Sequence, residues 1–492
     1  MKKFVLLFLA ALVFLFSCAN GEVTDENEGD GATTSAENVA AEADDGIVNR
    51  SAYEEPEVKD FEKYGFRILE NPKSNVFTFH KQAPEEQTGE VVCDAFIARN
   101  RVIEDRYNIA ISAVFNDAPY DTLRKSIAAD DDICDLGFIP TNTVYGLAQI
   151  GALTDFNSVN ALRLDMPWWD GRITESLGIY GKAYVTAGDI TTNDDVSSLT
   201  ILYNKELYKQ LGYENPYQIV SSGKWTMDKM AEMIKGVNRD LNGDGIIDEN
   251  DRWAMASESL ALYYFFFGSG RHYIDKTPEG YAFTLDEPIV RDILEKTFNL
   301  LTAEDSVYDL YGKIKDTSVS VYVTLEKMFM DNRLLFNVRL VGDALNLRGM
   351  ESDFGFLPFP KYDEAQKEYY SWVTFYAELP VMPVTVADRE KSGLITEALA
   401  FESMFAIREP FYGKLLNAKI ARGDEDTEML NLVLNSKAYD LDGATYSSGV
   451  QSGIYEITTQ MLSKREFTIA SSWEKIKPKA EGNLEKFLQA FE

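Results

Sequence analysis

The stretch NVFTFHKQAPEEQTGEVVCDAFIARNRVIEDRYNIAISAVF, residues 75–115, sets the fold class. Val76, Phe77, Thr78 and Phe79 read as a buried strand. Val92, Ala95, Phe96, Val102, Ile103 and Tyr107 then recur at helical spacing, and Ile109, Ile111, Ala113 and Phe115 alternate as a strand does. Strand, helix and strand make a βαβ unit. The pattern continues with a helix over 123–128, a strand from Asp135 to Ile139, a Pro-Thr-Asn-Thr loop at 140–143 and a further helix up to Gly151. Strands alternating with helices predict an α/β fold with a mainly parallel sheet covered on both faces.

Downstream of Gly188-Asp189 the alternation restarts. Leu199 to Tyr203 reads as a strand and Lys205 to Leu211 as a helix; Thr226 stands at a helix N-cap ahead of Met230, Ile234 and Val237. Leu334 to Val338 reads as another strand. Asp353-Phe-Gly-Phe-Leu-Pro-Phe-Pro360 is extended, because each Pro disfavours helix for itself and its predecessor. Two α/β lobes joined by more than one crossing leave a cleft, the usual seat of a small ligand.

Upstream, Lys2 and Lys3 precede an apolar run from Phe4 to Phe16, then Ser17-Cys18. The run falls short of the ~20 residues a bilayer span needs, and the pattern is that of a lipoprotein signal over residues 1–17 with Cys18 as the acylated first residue. This expects a chain exported and lipid-anchored on the outer face of a membrane, extracellular or periplasmic. Ala19 to Glu62 holds 14 acidic and two basic residues and almost no large apolar group before Ile47. Residues 18–72 are therefore expected to be a disordered, self-repelling tether.

A length of 492 residues, 45% apolar and 12% aromatic, supports a large core. A net charge of −32 without basic patches excludes nucleic-acid partners. With two histidines, His80 and His272, there is little material for a His-rich metal site or a His-activated nucleophile. Cys93 and Cys134 pair with each other or stay buried and free.

The sharpest motif is Asp240-Leu-Asn242-Gly-Asp244-Gly-Ile246-Ile-Asp248-Glu-Asn-Asp251. Oxygen ligands at loop positions 1, 3, 5, 9 and 12, a backbone carbonyl at 7 and a Gly at 6 match an EF-hand-type loop. A structural Ca2+ is expected on Asp240, Asn242, Asp244, Ile246, Asp248 and Asp251; the alternative is an acidic turn without metal. Trp168, Trp169, Trp372 and the run Tyr263 to Phe267 offer flat faces for sugar rings or belong to the core, whereas Trp225, just before a capped helix, is core. Asp194 and Asp195, or Glu258, offer carboxylates for glycoside hydrolysis, but 80 acidic residues make any such pair unspecific.

Taken together, Leu202-Tyr-Asn-Lys-Glu-Leu207, Gly223-Lys-Trp-Thr226, the 240–251 loop, Leu347-Arg-Gly-Met-Glu351, Phe354-Gly-Phe-Leu-Pro-Phe-Pro-Lys361 and Tyr-Tyr-Ser-Trp372 resemble the sugar-type extracellular solute-binding proteins, maltose-binding-protein-like lipoproteins of ABC importers. The likeness runs from about residue 75 to the C-terminus. It implies a two-lobe, type II periplasmic-binding-protein-like fold, with an N-terminal lobe of residues 73–196 plus 356–405 and a C-terminal lobe of 197–355 plus 406–492. Crossings are expected near 190–198 and 352–362. It further implies a monomer that closes by hinge motion on a small polar solute, a carbohydrate or oligosaccharide, and delivers it to the permease subunits without covalent chemistry. Thr141, Asn142, Asp194, Asp195, Tyr263, Arg339 and Trp372 would face the ligand. The rival readings are a cell-surface glycan hydrolase using paired carboxylates and a sensing or adhesion module without a transporter.

Overall fold

Short alternating runs build the first lobe. In the computed structural model, which describes residues 49–73, 80–278, 280–313, 320–417, 420–421, 423–450 and 452–492, a four-stranded sheet runs in the order 378–381, 136–140, 64–70, 109–115. Tyr64–Glu70 pairs in parallel with Ile109–Phe115 and Leu136–Pro140, and Glu378–Val381 closes the edge antiparallel. Side chains alternate between two cores, as period 2 requires. Phe66, Ile68, Leu136 and Phe138 pack under the helices Val91–Tyr107 and Arg389–Ala406, whereas Leu69, Ile139, Leu379 and Val381 pack on the opposite face with Val144, Tyr145 and Leu147.

One of the two inner strands, Tyr64–Glu70, lies inside the stretch expected to be tether, so that boundary is corrected: the ordered chain takes up the sheet at Tyr64. Its signal is weak because acidic and basic residues flank it, and Glu70 at its end is itself buried, accepting from the N–H groups of Gln82 and Ala83 at 2.8 and 3.1 Å. The strand expected at Val76 to Phe79 lies outside the described residues.

The second lobe has a three-stranded sheet in which Leu199–Asn204 runs antiparallel between Phe354–Leu357 and Phe336–Leu340. All six residues of its central strand are buried. Asn204 ends that strand and caps the next helix, its side chain accepting from Leu207 N, and Thr226 caps Met227–Met233 by accepting from Lys229 N at 3.2 Å. Thr226→Ala should lower stability by about 1 kcal/mol, the usual worth of an N-cap, measurable by denaturant titration. Trp225 is fully buried and donates to Pro358 O at 2.8 Å, the core role expected of it.

The first crossing lies where expected, around the helical turn Asn193–Val196, fastened by Asn193 Nδ2 to Glu378 O at 2.9 Å. The second does not. Phe354–Leu357 is extended, as its prolines demand, but it hydrogen-bonds into the second sheet, so the chain returns only after Ser371–Trp372, entering the first sheet at Glu378. The C-terminal boundary is corrected too. Helix Ile469–Gln489 starts on the second lobe's core with Trp473 and Ala480 and ends on the first lobe's, where Leu484, Phe487 and Leu488 pack with Tyr145 and Phe491. Residues 48–492 thus form one compact unit sewn together by several passages. Cys93 and Cys134 are both free, and no helix among the described residues is long and apolar enough to cross a membrane.

Candidate functional site

A cavity of about 370 Å³ opens where the second sheet meets the returning crossing, lined by Leu199, Glu258, Tyr264, Tyr322, Arg339, Asp343, Trp372, Thr374 and Tyr376. Trp372 sits on the two-residue strand that pairs with Lys437–Ala438, which fixes its backbone. Its indole stacks on Phe267 (centroids 5.7 Å apart, 9° between planes) and Tyr264 (6.2 Å, 16°). These two rings are three positions apart on one helical face and brace the indole; Tyr264 lines the cavity, whereas Phe267 is fully buried.

The neighbouring Tyr263 points about a quarter-turn away, as helical geometry requires, and does not line the cavity. Its hydroxyl donates to Asp440 and, at 3.1 Å, to Asp442. Burial and the charge of Asp440 push the Asp442 carboxyl up to about 8. Tyr264, not Tyr263, is the cavity residue.

The polar groups of the cavity come from the sheet edge. Arg339 Nε pairs with Asp343 at 3.1 Å, and its guanidinium lies 5.5 Å from the centre of the Tyr322 ring. Glu258 accepts from Tyr322 OH at 3.3 Å, and burial raises its pKa above the ordinary carboxylate value. Burial raises Asp343 as well, against the pull of Arg339. Trp372 is 4% exposed, and its Nε1–H has no acceptor among the described residues. Such a buried donor is expensive unless something supplies the oxygen.

Of the seven residues expected to face a ligand, Arg339 and Trp372 lie together on this cavity. Thr141 and Asn142 stand behind it. Thr141 donates through both N and Oγ1 to Ala377 O (3.0 and 2.9 Å), and Asn142 N donates to Phe375 O at 2.9 Å, holding the loop that carries Thr374 and Tyr376. Asp194 and Asp195 belong to a buried charge cluster at the first crossing: Lys437 Nζ reaches Asp194, lies 2.8 Å from Asp195 and 3.4 Å from Asp170, and Tyr412 donates to Asp195 at 2.7 Å. Asp195 and Lys437 border a separate polar pocket of about 400 Å³ with Trp169, Arg172 and Arg408. Trp168 and Trp169 donate their indole N–H to Glu397 at 3.1 and 2.8 Å, and both also border this polar pocket.

In the 240–251 loop the side chains turn onto backbone. Asp240 accepts from Gly243 and Gly245, Asp244 from Ile246 at 2.8 Å, and Asp251, fully buried, from Leu241 and Asp248 at 2.8 and 2.9 Å. Gly245 adopts φ +79°, the left-handed turn for which glycine is suited. Among the described residues no group of three or more His, Cys, Asp or Glu side chains is gathered as a metal site, these carboxylates being engaged with backbone N–H groups.

No protein-family profile and no curated protein matches the chain. Solved structures do. The galacto-N-biose/lacto-N-biose I-binding protein of the ABC transporter from Bifidobacterium longum, in complex with lacto-N-biose, is 12% identical, with 87% of this chain and 98% of that one covered at a TM-score of 0.56. An ABC substrate-binding protein from Listeria monocytogenes in complex with cycloalternan is 14% identical, covering 85% and 99% at 0.52. The GacH receptor of Streptomyces glaucescens, solved unliganded and with acarbose, is 12% identical, covering 87% and 97% at 0.50. The chain therefore has the two-lobe α/β fold of type II periplasmic binding proteins.

Proposed function

We propose that this two-lobe chain is the solute-capturing component of an ABC importer and that its solute is a carbohydrate, held in the cavity lined by Trp372, Tyr264 and Tyr376. The observation that carries this reading is the buried indole N–H of Trp372, presented without an acceptor in a cavity that also offers an Arg339–Asp343 pair and the Glu258 carboxyl. Stacked rings suit the apolar face of a pyranose and the charged groups its hydroxyls. The similar structures, binding proteins in complex with sugars or an acarbose ligand, support it. Closure needs only that a ligand touch both lobes, selecting the state in which they meet, with no covalent step. The protein would act as a monomer, recognised when closed by the permease. Its test is a thermal-shift and calorimetric screen against neutral and charged glycans: a shift with some sugar is expected and no shift with any would overturn the reading, while release of reducing sugar would favour a hydrolase.

Lipidation at Cys18 and outward anchoring through the acidic spacer complete the proposal; Cys18 and the spacer up to residue 48 lie outside the described residues, and the support is the sequence pattern. A mass spectrum showing a diacyl or triacyl Cys18 at the mature N-terminus checks it.

Calcium in the 240–251 loop is likewise proposed, on the donor set: four Asp carboxylates, an Asn amide and a backbone carbonyl at the spacing such loops use. Binding would require the carboxylates to leave their backbone N–H partners and converge. Chelation should then lower the melting temperature of the wild type and leave that of Asp244→Ala unchanged; equal melting of the wild type with and without chelator would remove the ion.

A further inference from the structure

We propose that the solute carries a positive charge: the cavity selects an amino sugar with a free amine, its ammonium seated on the Glu258 carboxylate among the tyrosines that line the walls. The inference rests on the sugar-capture reading and adds a charge to it.

The charges lining the cavity do not balance. Glu258, Arg339 and Asp343 are all buried there. Arg339 Nε lies 3.1 Å from the Asp343 carboxylate, and that pair is neutral as a unit. Glu258 forms no ion pair among the described residues. Its carboxylate accepts from Tyr322 OH at 3.3 Å and from the Tyr264 hydroxyl, and Arg339 acts on it only at longer range. Hydroxyl donors reduce the cost of burying a carboxylate but do not cancel its charge. Burial raises the Glu258 pKa accordingly, and an ammonium beside it would restore the charged form as one half of a pair.

The walls suit the same guest. Tyr264, Tyr322, Trp372 and Tyr376 all border the cavity. Aromatic rings attract cations through the negative charge of their faces, and one such contact is already made at this site: the Arg339 guanidinium lies 5.5 Å from the centre of the Tyr322 ring. Tyr322 and Tyr376 are 41% and 38% exposed, which leaves ring surface open to a guest. A net charge of −32 on the chain draws cations toward it from solution. The sugar part of the guest is required as well. The buried indole N–H of Trp372 lacks an acceptor among the described residues, and a sugar oxygen supplies one where a plain alkyl amine does not.

The test is calorimetry on the whole mature chain, at a pH where the sugar amine is protonated, with disaccharides of several linkages. Each is supplied in three forms alike except at the second carbon of each ring, which carries a free amine, an N-acetyl amide or a hydroxyl. For the linkage that binds, the free amine should bind at least about tenfold tighter than either neutral form, equivalent to about 1.4 kcal/mol. Glu258→Gln keeps the shape and removes the charge, so the three forms should fall within about twofold of one another, with melting curves taken alongside. Putrescine, which carries the charge without the sugar, should bind at least about tenfold more weakly than the amino disaccharide. A neutral form that binds the wild type as tightly as the amine, a preference that survives in folded Glu258→Gln, or putrescine matching the amino sugar overturns the charge assignment while leaving sugar capture standing. The wild-type comparison decides the point by itself should the variant not fold. A panel in which no form of any sugar binds overturns the sugar-capture reading, and the charge assignment with it.

Discussion

Replacing Lys437 by Met should lower the unfolding free energy by about 3–5 kcal/mol, the range for removing one partner of a buried ionic cluster. Lys437 is 7% exposed and sits among Asp170, Asp194 and Asp195, all buried. Arg172 stays on Asp170 at 2.7 Å after the substitution, but Asp194 loses its cation and keeps only the Tyr439 hydroxyl at 3.2 Å among its direct partners. The cluster lies on the first crossing and on the strand paired with Ser371–Trp372, so its loss loosens the junction between lobes as well as the core. Denaturant unfolding of the wild type, Lys437→Met and Lys437→Met/Asp194→Asn checks it. The double variant should recover part of the loss, and equal stability of the wild type and the single variant would sink the assignment.

The same cluster predicts a pH dependence. Burial, opposed by Lys437, pushes the Asp194 carboxyl up to about 7, whereas in the unfolded chain an Asp titrates near 4. Between these values the folded protein keeps a proton that the unfolded chain has released. The group's contribution to stability is therefore complete below about pH 4 and is lost as the pH rises through about 7. Asp442, held up to about 8, acts in the same sense. Stability should fall between about pH 5 and 8, less steeply in Asp194→Asn. Identical slopes in the two proteins would contradict this.

On the proposed capture of a sugar, Trp372→Ala should weaken its binding by about 2–4 kcal/mol, roughly thirty- to a thousandfold, the scale of a buried aromatic anchor. The indole provides both the stacking face over Tyr264 and Phe267 and the one donor in the cavity that is buried without an acceptor among the described residues. Because the residue also packs the core, the same substitution lowers stability, and Trp372→Phe separates the two effects. Phenylalanine keeps most of the ring but not the N–H, so stability should remain close to wild type while affinity falls about tenfold, in line with the loss of one buried hydrogen bond. Calorimetric affinities taken beside melting curves check this; full affinity in Trp372→Phe would show that the N–H meets no ligand.

How much of this was legible in the chain depends on whether the signal was local. Leu199–Asn204, the helix behind it and the Thr226 cap lie within a residue or so of the sequence expectation, because apolar patterning and a side chain capping a helix three residues on are near-neighbour effects. Arg339 and Trp372, both expected from their places near strand ends, line one cavity. Tyr264 and not the neighbouring Tyr263 lines that cavity, and a run of five aromatics has no polar position to show which face of the helix is turned to it.

By itself the sequence determined an α/β chain in two lobes with a capped-helix framework, since periodicity and composition are properties of neighbouring residues, whereas the mainly parallel pairing it led one to expect holds in the first sheet and the second is antiparallel. Only the tertiary structure decided that Tyr64–Glu70 is an inner strand, that Phe354–Leu357 stays in the second sheet, and that Asp194 and Asp195 close on Lys437 from 243 and 242 residues away. Strand partners and buried charge pairs are chosen by what the rest of the fold brings alongside, and nothing in a carboxylate's own neighbourhood in the chain says whether it will meet a ligand or a lysine.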